Sequence, residues 1–411
     1  MQFNQIIAQA EVKRRLIELV QKNRLSHALL FLGKEGSGAL PLAIAFAQYI
    51  LCEKVNPKAK RENAVSLFGE EETEIIPANL EDSCGVCASC NKAGQLIHPD
   101  LHFSYPALKK DSKHERVLST DYIVEWREFI QKFPYGSAVD WINFLKENSK
   151  AKIETPVNKQ GNITSAECEE ILHKLSLKAF ESDYKILIMW MPEFLRNEGN
   201  KLLKLIEEPP PNTIFIFVAE DENGILPTIL SRTQLIKIPA LENEDIEEAL
   251  IQKDIAREKA AQIAAVSEGN FREALQLLQN AEEDWQAQVR EWLNVTVKNN
   301  VNAQLKWIED ISRLGREKQK QFLKYFIHLL QQAVRIRYLD ENNLSSIPED
   351  ERDFAFRLNK MCGIEAQEAI VNELDKAIYY IERNAHAKML FHALTIRLYH
   401  IIKDNSLILV H

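Results

Sequence analysis

Apolar positions fall into two kinds of pattern along the chain. Near the start, Val12, Leu16, Leu19 and Val20 recur at helical spacing, Ala28 to Leu32 is an unbroken apolar run of buried-strand type, and Leu40 to Leu51 is helical again. Gly33-Lys-Glu-Gly-Ser-Gly38 separates the run from the second helix, so the order is helix, strand, glycine loop, helix, as in a phosphate-loop βα unit. Lys185 to Trp190 and Thr213 to Val218 predict two further strands buried on both faces. Thr164-Ser-Ala-Glu167 predicts a capping box opening a helix with Cys168, Ile171, Leu172 and Leu175 on one face. A helix over Asn197 to Glu208 is expected to stop at Pro209-Pro210-Pro211. Strands alternating with helices imply an α/β fold with a parallel, helix-covered sheet.

After Pro239 the pattern is helical only, first compact near 241–281 and then in long amphipathic stretches such as Glu317 to Tyr338 and Ile364 to Ile402. The expected organisation is an α/β domain over 1–240, a small helical domain over 241–281 and a larger helical domain over 282–411. Residues 100–163 interrupt the α/β pattern with Trp126, Phe129, Phe133, Trp141 and Phe144 among charged residues. They read as a helical insertion with its own small core, and a surface for stacking on DNA is the alternative.

A length of 411 residues fits roughly two to three domains of about 150 residues. With 51 Lys and Arg against 60 Asp and Glu the net charge is −9, which excludes a simple picture of a free-standing nucleic-acid binder, since phosphate contacts need a surplus of basic residues that the chain lacks globally; a local basic surface stays open. No window approaches the roughly 18 consecutive apolar residues of a membrane span, and MQFNQIIAQAEVKRR has no signal-peptide core, so a cytoplasmic location is expected. Only 13 glycines occur, and Gly33, Gly36 and Gly38 crowd into one loop. Cys84, Cys87 and Cys90 form C-x2-C-x2-C, a spacing that in a reducing compartment favours metal over disulfides. Three such thiolates converge on one tetrahedral Zn²⁺, with a fourth ligand from elsewhere. Cys168 and Cys362 lie on apolar helical faces and read as core.

The glycine loop occupies the frame G-x-x-x-x-G-K-[ST], but Ala39 and Leu40 replace the lysine and the hydroxyl residue. In a working loop the lysine neutralises the β- and γ-phosphates and the hydroxyl holds Mg²⁺. The second strand is a separate test, because nucleotide-hydrolysing folds of this type end it in Asp-Glu. Here Trp190-Met191 follows, and the first carboxylate is Glu193. An apolar pair neither organises Mg²⁺ nor polarises water, so no intrinsic ATP hydrolysis is expected. Leu226-Pro-Thr-Ile-Leu-Ser231-Arg232-Thr233 taken alone is a surface arginine beside a helix end.

The motifs together carry more. Ser26-His27-Ala28-Leu-Leu-Phe31 with Gly33, the cysteines followed by His98-Pro99-Asp100, Asn200-Lys-Leu-Leu-Lys-Leu-Ile-Glu-Glu-Pro-Pro210 with Asn212-Thr213, and Ile229-Leu-Ser231-Arg232 occur in one order. That order resembles the bacterial AAA+ clamp-loader subunits, in the delta-prime branch of DNA polymerase III. The likeness is specific over about 5–100 and 164–281 and weaker beyond, where Arg316-Glu-Lys-Gln-Lys-Gln-Phe322-Leu resembles the start of a collar domain; residues 100–163 match nothing general to the family.

The resemblance implies a RecA-like AAA+ domain, a helical lid and a helical collar, in a subunit that does not hydrolyse ATP but assembles with gamma/tau motor and delta subunits. Through the complex it would meet the sliding clamp and primer-template DNA in the replisome. It further implies that Ser231-Arg232-Thr233, with Thr for the family's Cys, projects Arg232 into a neighbouring motor's ATP site. Gly33, Gly36 and Gly38 are then a vestigial loop with no bound cofactor expected, Val218-Ala219-Glu220 is an emptied sensor-1 position, and Gly269-Asn-Phe-Arg272 is a remnant of sensor 2. The family's fourth zinc ligand corresponds to Cys52. The stretch 53–83 is longer than the family norm, which keeps His98 or His102 as the alternative. Competing readings are an ATP-hydrolysing motor subunit with an unusual loop, and a zinc-dependent nucleic-acid-binding repair protein.

Overall fold

The apolar runs form the middle of a sheet. The computed structural model describes residues 1–56, 80–109, 116–148, 161–279, 284–298, 300–338 and 349–403. In it β1 (Ala28–Gly33), β2 (Leu101–Ser104), β3 (Lys185–Trp190), β4 (Thr213–Ala219) and β5 (Gln234–Ile238) pair in parallel, in the order β2-β3-β4-β1-β5. β3 and β4 are buried at every position, as strands covered on both faces must be.

Alternation along each strand divides the core between the two faces. One face carries Leu29, Phe31, Ile186, Ile188, Trp190, Ile214, Ile216 and Val218, packed with α2 (Ala39–Leu51). The other carries Leu30, Leu187, Met189, Phe215 and Phe217 against Cys168, Ile171 and Leu175 of α6 (Ser165–Ser176). All residues of α2 are buried, which its apolar character on every side requires. α1 (Ala10–Gln21) and α3 (Ala88–Gly94) lie on the α2 side, where Leu16 and Ala93 enter the same core. This is the RecA-like AAA+ architecture, with helical segments following.

Several expectations need correction. The insertion has no core of its own: Trp126 and Phe129 of α4 (Ile123–Lys132) and Trp141 and Phe144 of α5 (Ala138–Asn148) join the α2-side core. The Trp126 and Phe129 rings lie 5.3 and 6.0 Å from Trp190, so the residue that ends β3 supplies the apolar surface they cover. These four rings are buried and offer no DNA-stacking face, and Phe133 is the one of the five singled-out aromatics that is exposed. The expected insertion also contains the edge strand β2, and residues 149–160 of it lie outside the described residues.

The single helix expected over 197–208 is instead a 3₁₀ segment, Pro192–Leu202, broken at Arg196 (φ 48°, ψ −135°), followed by the short α7 (Leu203–Glu207). Asn197, Gly199 and Asn200 are poor α-helix formers, which accounts for the tighter winding. Only half of the capping box forms. Thr164 Oγ1 accepts the Glu167 N–H at 3.2 Å, but the Glu167 carboxylate accepts from the backbone N–H and hydroxyl of Ser119. After the short α8 (Pro227–Leu230) and β5 come α9 (Asn243–Ile251), α10 (Arg257–Ser267) and α11 (Phe271–Gln279).

The chain divides into two compact units, Met1–Leu275 and Gln276–His411. The second is helical throughout its described residues: α12 (Trp285–Val297), α13 (Val301–Arg313), α14 (Arg316–Tyr338), α15 (Glu349–Met361), α16 (Ile364–Glu382) and α17 (Ala387–Lys403). The expected continuous stretch from 364 to 402 is two helices, interrupted around Asn384 at φ 66°. The core of this unit centres on Trp292, whose indole stacks on Trp307 at 4.8 Å and meets Phe322 and Phe391. Among the described residues no helix is long and apolar enough to cross a membrane.

Candidate functional site

β1 delivers the chain into the glycine loop at the C-terminal end of the sheet, where α/β folds place ligands. Gly36 (φ +73°) and Gly38 (φ +90°) take left-handed conformations that the turn requires, and Gly38 caps α2. The first residues of α2, Ala39 and Leu40, are buried and contribute no charge and no metal oxygen. Above the loop remains a cavity of about 20 Å³, lined by the loop, Pro134, Tyr135, Gly136, Trp190 and Val218 to Glu220. That is room for about one water and far below the ~300 Å³ of a small-molecule site.

Carboxylates collect around this cavity. Glu193, the first acid after β3, is held by the backbone: its Oε1 accepts from the N–H groups of Glu220 (2.7 Å) and Asp221 (2.9 Å). Burial, together with the charges of Glu35 and Glu193, pushes Glu220 up to about 8, with Arg272 opposing. Arg272, near the start of α11, is 6% exposed. Its Nη2 donates to Asp140 Oδ1 at 2.7 Å, its Nε donates to Asp140 Oδ2, and its Nη1 donates to Glu35 Oε1 at 2.8 Å. Sequence reasoning singled out Arg272 but neither carboxylate, since both lie far from it along the chain: Glu35 is a variable position of the glycine loop, and Asp140 belongs to no motif.

The second assembly is made of cysteine. The sulfurs of Cys52, Cys84, Cys87 and Cys90 all lie within 4.8 Å of one another. Cys52 ends α2 and the other three line the turn into α3, so the fourth member comes from a helix end rather than from His98 or His102. Backbone N–H groups of Cys84, Cys87 and Cys90 donate to the sulfurs of Cys52, Cys84 and Cys87, each at 3.4 Å. Such donors favour thiolate. The Cys90 thiol and then the N–H of Cys84 bring Cys52 down to about 4 against burial, while Cys52 and burial push Cys90 up. Four sulfurs with backbone donors suit a tetrahedral thiophilic cation and leave no position for water. His98 is instead structural: its Nδ1 accepts the Asp100 N–H at 3.1 Å.

The third feature is Arg232, one residue beyond the C-cap of α8 and partly exposed. Its Nη1 donates to the Thr228 carbonyl (2.9 Å) and to Ser231 Oγ (3.1 Å), and its Nε donates to Glu207 Oε1 (2.5 Å). Two motifs distant in sequence, the Ser-Arg pair and the Glu-Glu-Pro-Pro stretch, therefore meet in one ion pair. The pair sits on the surface, where it orients the guanidinium at little energetic cost to break. Gly33, Gly36 and Gly38 lie at the loop, the four cysteines form one cluster, and Ser231 and Arg232 are part of neither.

Comparison with known proteins connects these places. A family model described as DNA polymerase III, delta subunit, matches residues 8–242. The DNA polymerase III subunit delta' of Bacillus subtilis is 25% identical over 275 residues, 67% of this chain and 60% of that protein. Subunit tau of Escherichia coli is 24% identical over 286 residues, 68% of this chain and 33% of that protein. The chain thus spans between a third and three fifths of the length of these curated relatives. A solved DNA polymerase III gamma subunit-related protein from Thermotoga maritima covers 95% of this chain and 99% of its own, at 12% identity and a TM-score of 0.34. With the family model covering more than half of its length, this chain belongs to the DNA polymerase III delta subunit family, as a delta-prime-like clamp-loader subunit.

Proposed function

We propose that the chain is the non-hydrolysing member of a DNA polymerase III clamp loader, which donates Arg232 to the ATP site of a neighbouring gamma/tau motor subunit and helps load the sliding clamp on primed DNA. The observation that carries this reading is a division of labour within one chain: the phosphate loop ends in buried Ala39 and Leu40, whereas Arg232 is partly exposed on a platform of Thr228 and Ser231. A guanidinium supplied in trans neutralises charge developing on the γ-phosphate, an effect of about 10³–10⁵ in rate in other nucleotide hydrolases. Residues 1–240 then serve as the AAA+ domain with its zinc module near 52–90, of which 57–79 lie outside the described residues, 241–281 as the lid and 282–411 as the collar. The delta subunit, clamp and primer-template DNA are reached within the replisome complex.

The zinc reading rests on the donor set. Four thiolates around Zn²⁺ carry a net charge of about −2, which the backbone N–H groups on the sulfurs offset. Such a closed site is structural and ties the end of α2 to α3.

Reconstitution with motor and delta subunits tests the arginine role. Arg232→Ala is expected to leave folding and assembly unchanged while lowering DNA-stimulated ATP hydrolysis and clamp loading at least severalfold. Wild-type rates in that variant would refute the reading.

A further inference from the structure

The turn joining α4 to α5 lies on the phosphate loop. The Tyr135 ring packs against Gly38 so closely that a Cβ on that glycine would stand 3.0 Å from Tyr135 Cε1. The same ring meets Phe271 edge-on, centroids 5.0 Å apart, and its hydroxyl accepts the Ile7 N–H at 3.0 Å. One step along, α5 presents Asp140 to Arg272, which also holds Glu35 of the loop. The loop is joined to α11 directly as well: the Phe271 N–H donates to the Gly36 carbonyl at 3.3 Å, and Asn270 Nδ2 donates to Glu35 at 3.2 Å. A Cβ on Gly36 would fall 1.9 Å from Asn270 Oδ1, so glycine there permits the approach.

We infer that the insertion is a built-in occupant of the phosphate loop: Tyr135 covers Gly38, and the Asp140 carboxylate takes the Arg272 fork that a nucleotide phosphate would otherwise engage. The chemistry of the exchange is direct. Guanidinium recognises carboxylate and phosphate through the same pair of parallel N–H donors, and a buried arginine is stable only when such a partner is present. A nucleotide supplies that partner only while it is bound. A tethered carboxylate supplies it continuously, at an effective concentration that free ATP must exceed to displace it. The consequence is a lid, α9 to the start of α11, whose attachment to the loop does not depend on nucleotide. The inference concerns contacts within the unit Met1–Leu275 and needs no neighbouring chain, so it stands or falls separately from the role of Arg232.

Amide hydrogen exchange on the full-length chain, with and without millimolar Mg-ATP, tests it. In the wild type ATP should leave exchange in 33–42 and 268–275 unchanged. Asp140→Asn keeps the shape of the side chain and removes its charge, and it should raise exchange at least fivefold in both segments together, although one is far from the other in sequence. Glu35→Gln alters a more exposed member of the network and should raise exchange in the same two segments, which decides the matter where Asp140→Asn fails to fold. ATP protection of the loop in the wild type would overturn the inference. So would a rise confined to α5 or absent, read in Asp140→Asn or, failing that, in Glu35→Gln.

Discussion

Glu220 is a side chain whose charge state bears on stability. Its ordinary value of 4.5 is raised to about 8 in the fold, first by burial and then by Glu35 and Glu193. The folded state therefore prefers the protonated acid. That contribution is complete below about 4.5 and is lost as pH rises through about 8, so this residue makes the protein less stable on the alkaline side. Glu220→Gln should flatten that slope and leave the variant about 2 kcal/mol more stable than the wild type near pH 9, with little difference near pH 5. Urea unfolding at the two pH values measures it, and equal midpoints at the alkaline one would refute the assignment. Sequence placed Glu220 at the end of a strand but gave no sign of its charge state, because the carboxylates that raise it come from the glycine loop and from beyond β3. The same distance in sequence concealed the role of Asp100, whose carboxylate accepts the N–H groups of Phe180, Glu181 and Ser182 and so fixes the loop ahead of β3.

Among the elements, those buried on both faces were legible in the sequence. β1, β3 and β4 are uninterrupted apolar runs, and α2 is apolar on every side, so a parallel, helix-covered sheet followed from pattern alone, while the order of strands within it did not. The edge strands were not legible. Leu101-His-Phe-Ser104 is four residues long, and Gln234-Leu-Ile-Lys-Ile238 is half exposed, because an edge strand lacks the second covering layer that makes a strand apolar throughout. Three of the clustered cysteines were visible as spacing, while the fourth required the family likeness, since α2 and α3 are brought together only by folding. The insertion was misread for a related reason: its aromatic residues imply a core, but periodicity does not say whose. Because Trp126 packs on Trp190, Trp126→Ala should cost about 3–5 kcal/mol and lower the unfolding midpoint of the whole sheet-bearing unit. Far-ultraviolet circular dichroism and tryptophan fluorescence should follow one shifted transition. An insertion that melts ahead of the sheet would contradict the shared core.

At the scale of the whole molecule, two units with separate cores predict two thermal transitions. Zinc held by Cys52, Cys84, Cys87 and Cys90 would stabilise only the first, because all four lie in Met1–Leu275. A strong chelator, or Cys84→Ser, should therefore lower one transition by several degrees and leave the other in place, with metal analysis falling from about one zinc per chain toward none. Movement of both transitions, or of neither, would argue against a structural metal. Under the proposed role, the net charge of −9 means that basic residues of neighbouring chains would supply most of the attraction for DNA. Trp190 also governs which side chains the end of β3 tolerates. It is 3% exposed among Trp126 and Phe129, so Trp190→Asp would strand a carboxylate inside an aromatic core at a cost of several kcal/mol. The aromatic residues that the insertion adds to the shared core therefore make an acidic residue at the end of β3 costly. Packing thus sets a limit on this strand end: while Trp126 and Phe129 stay on it, the position admits an apolar ring and excludes a charge.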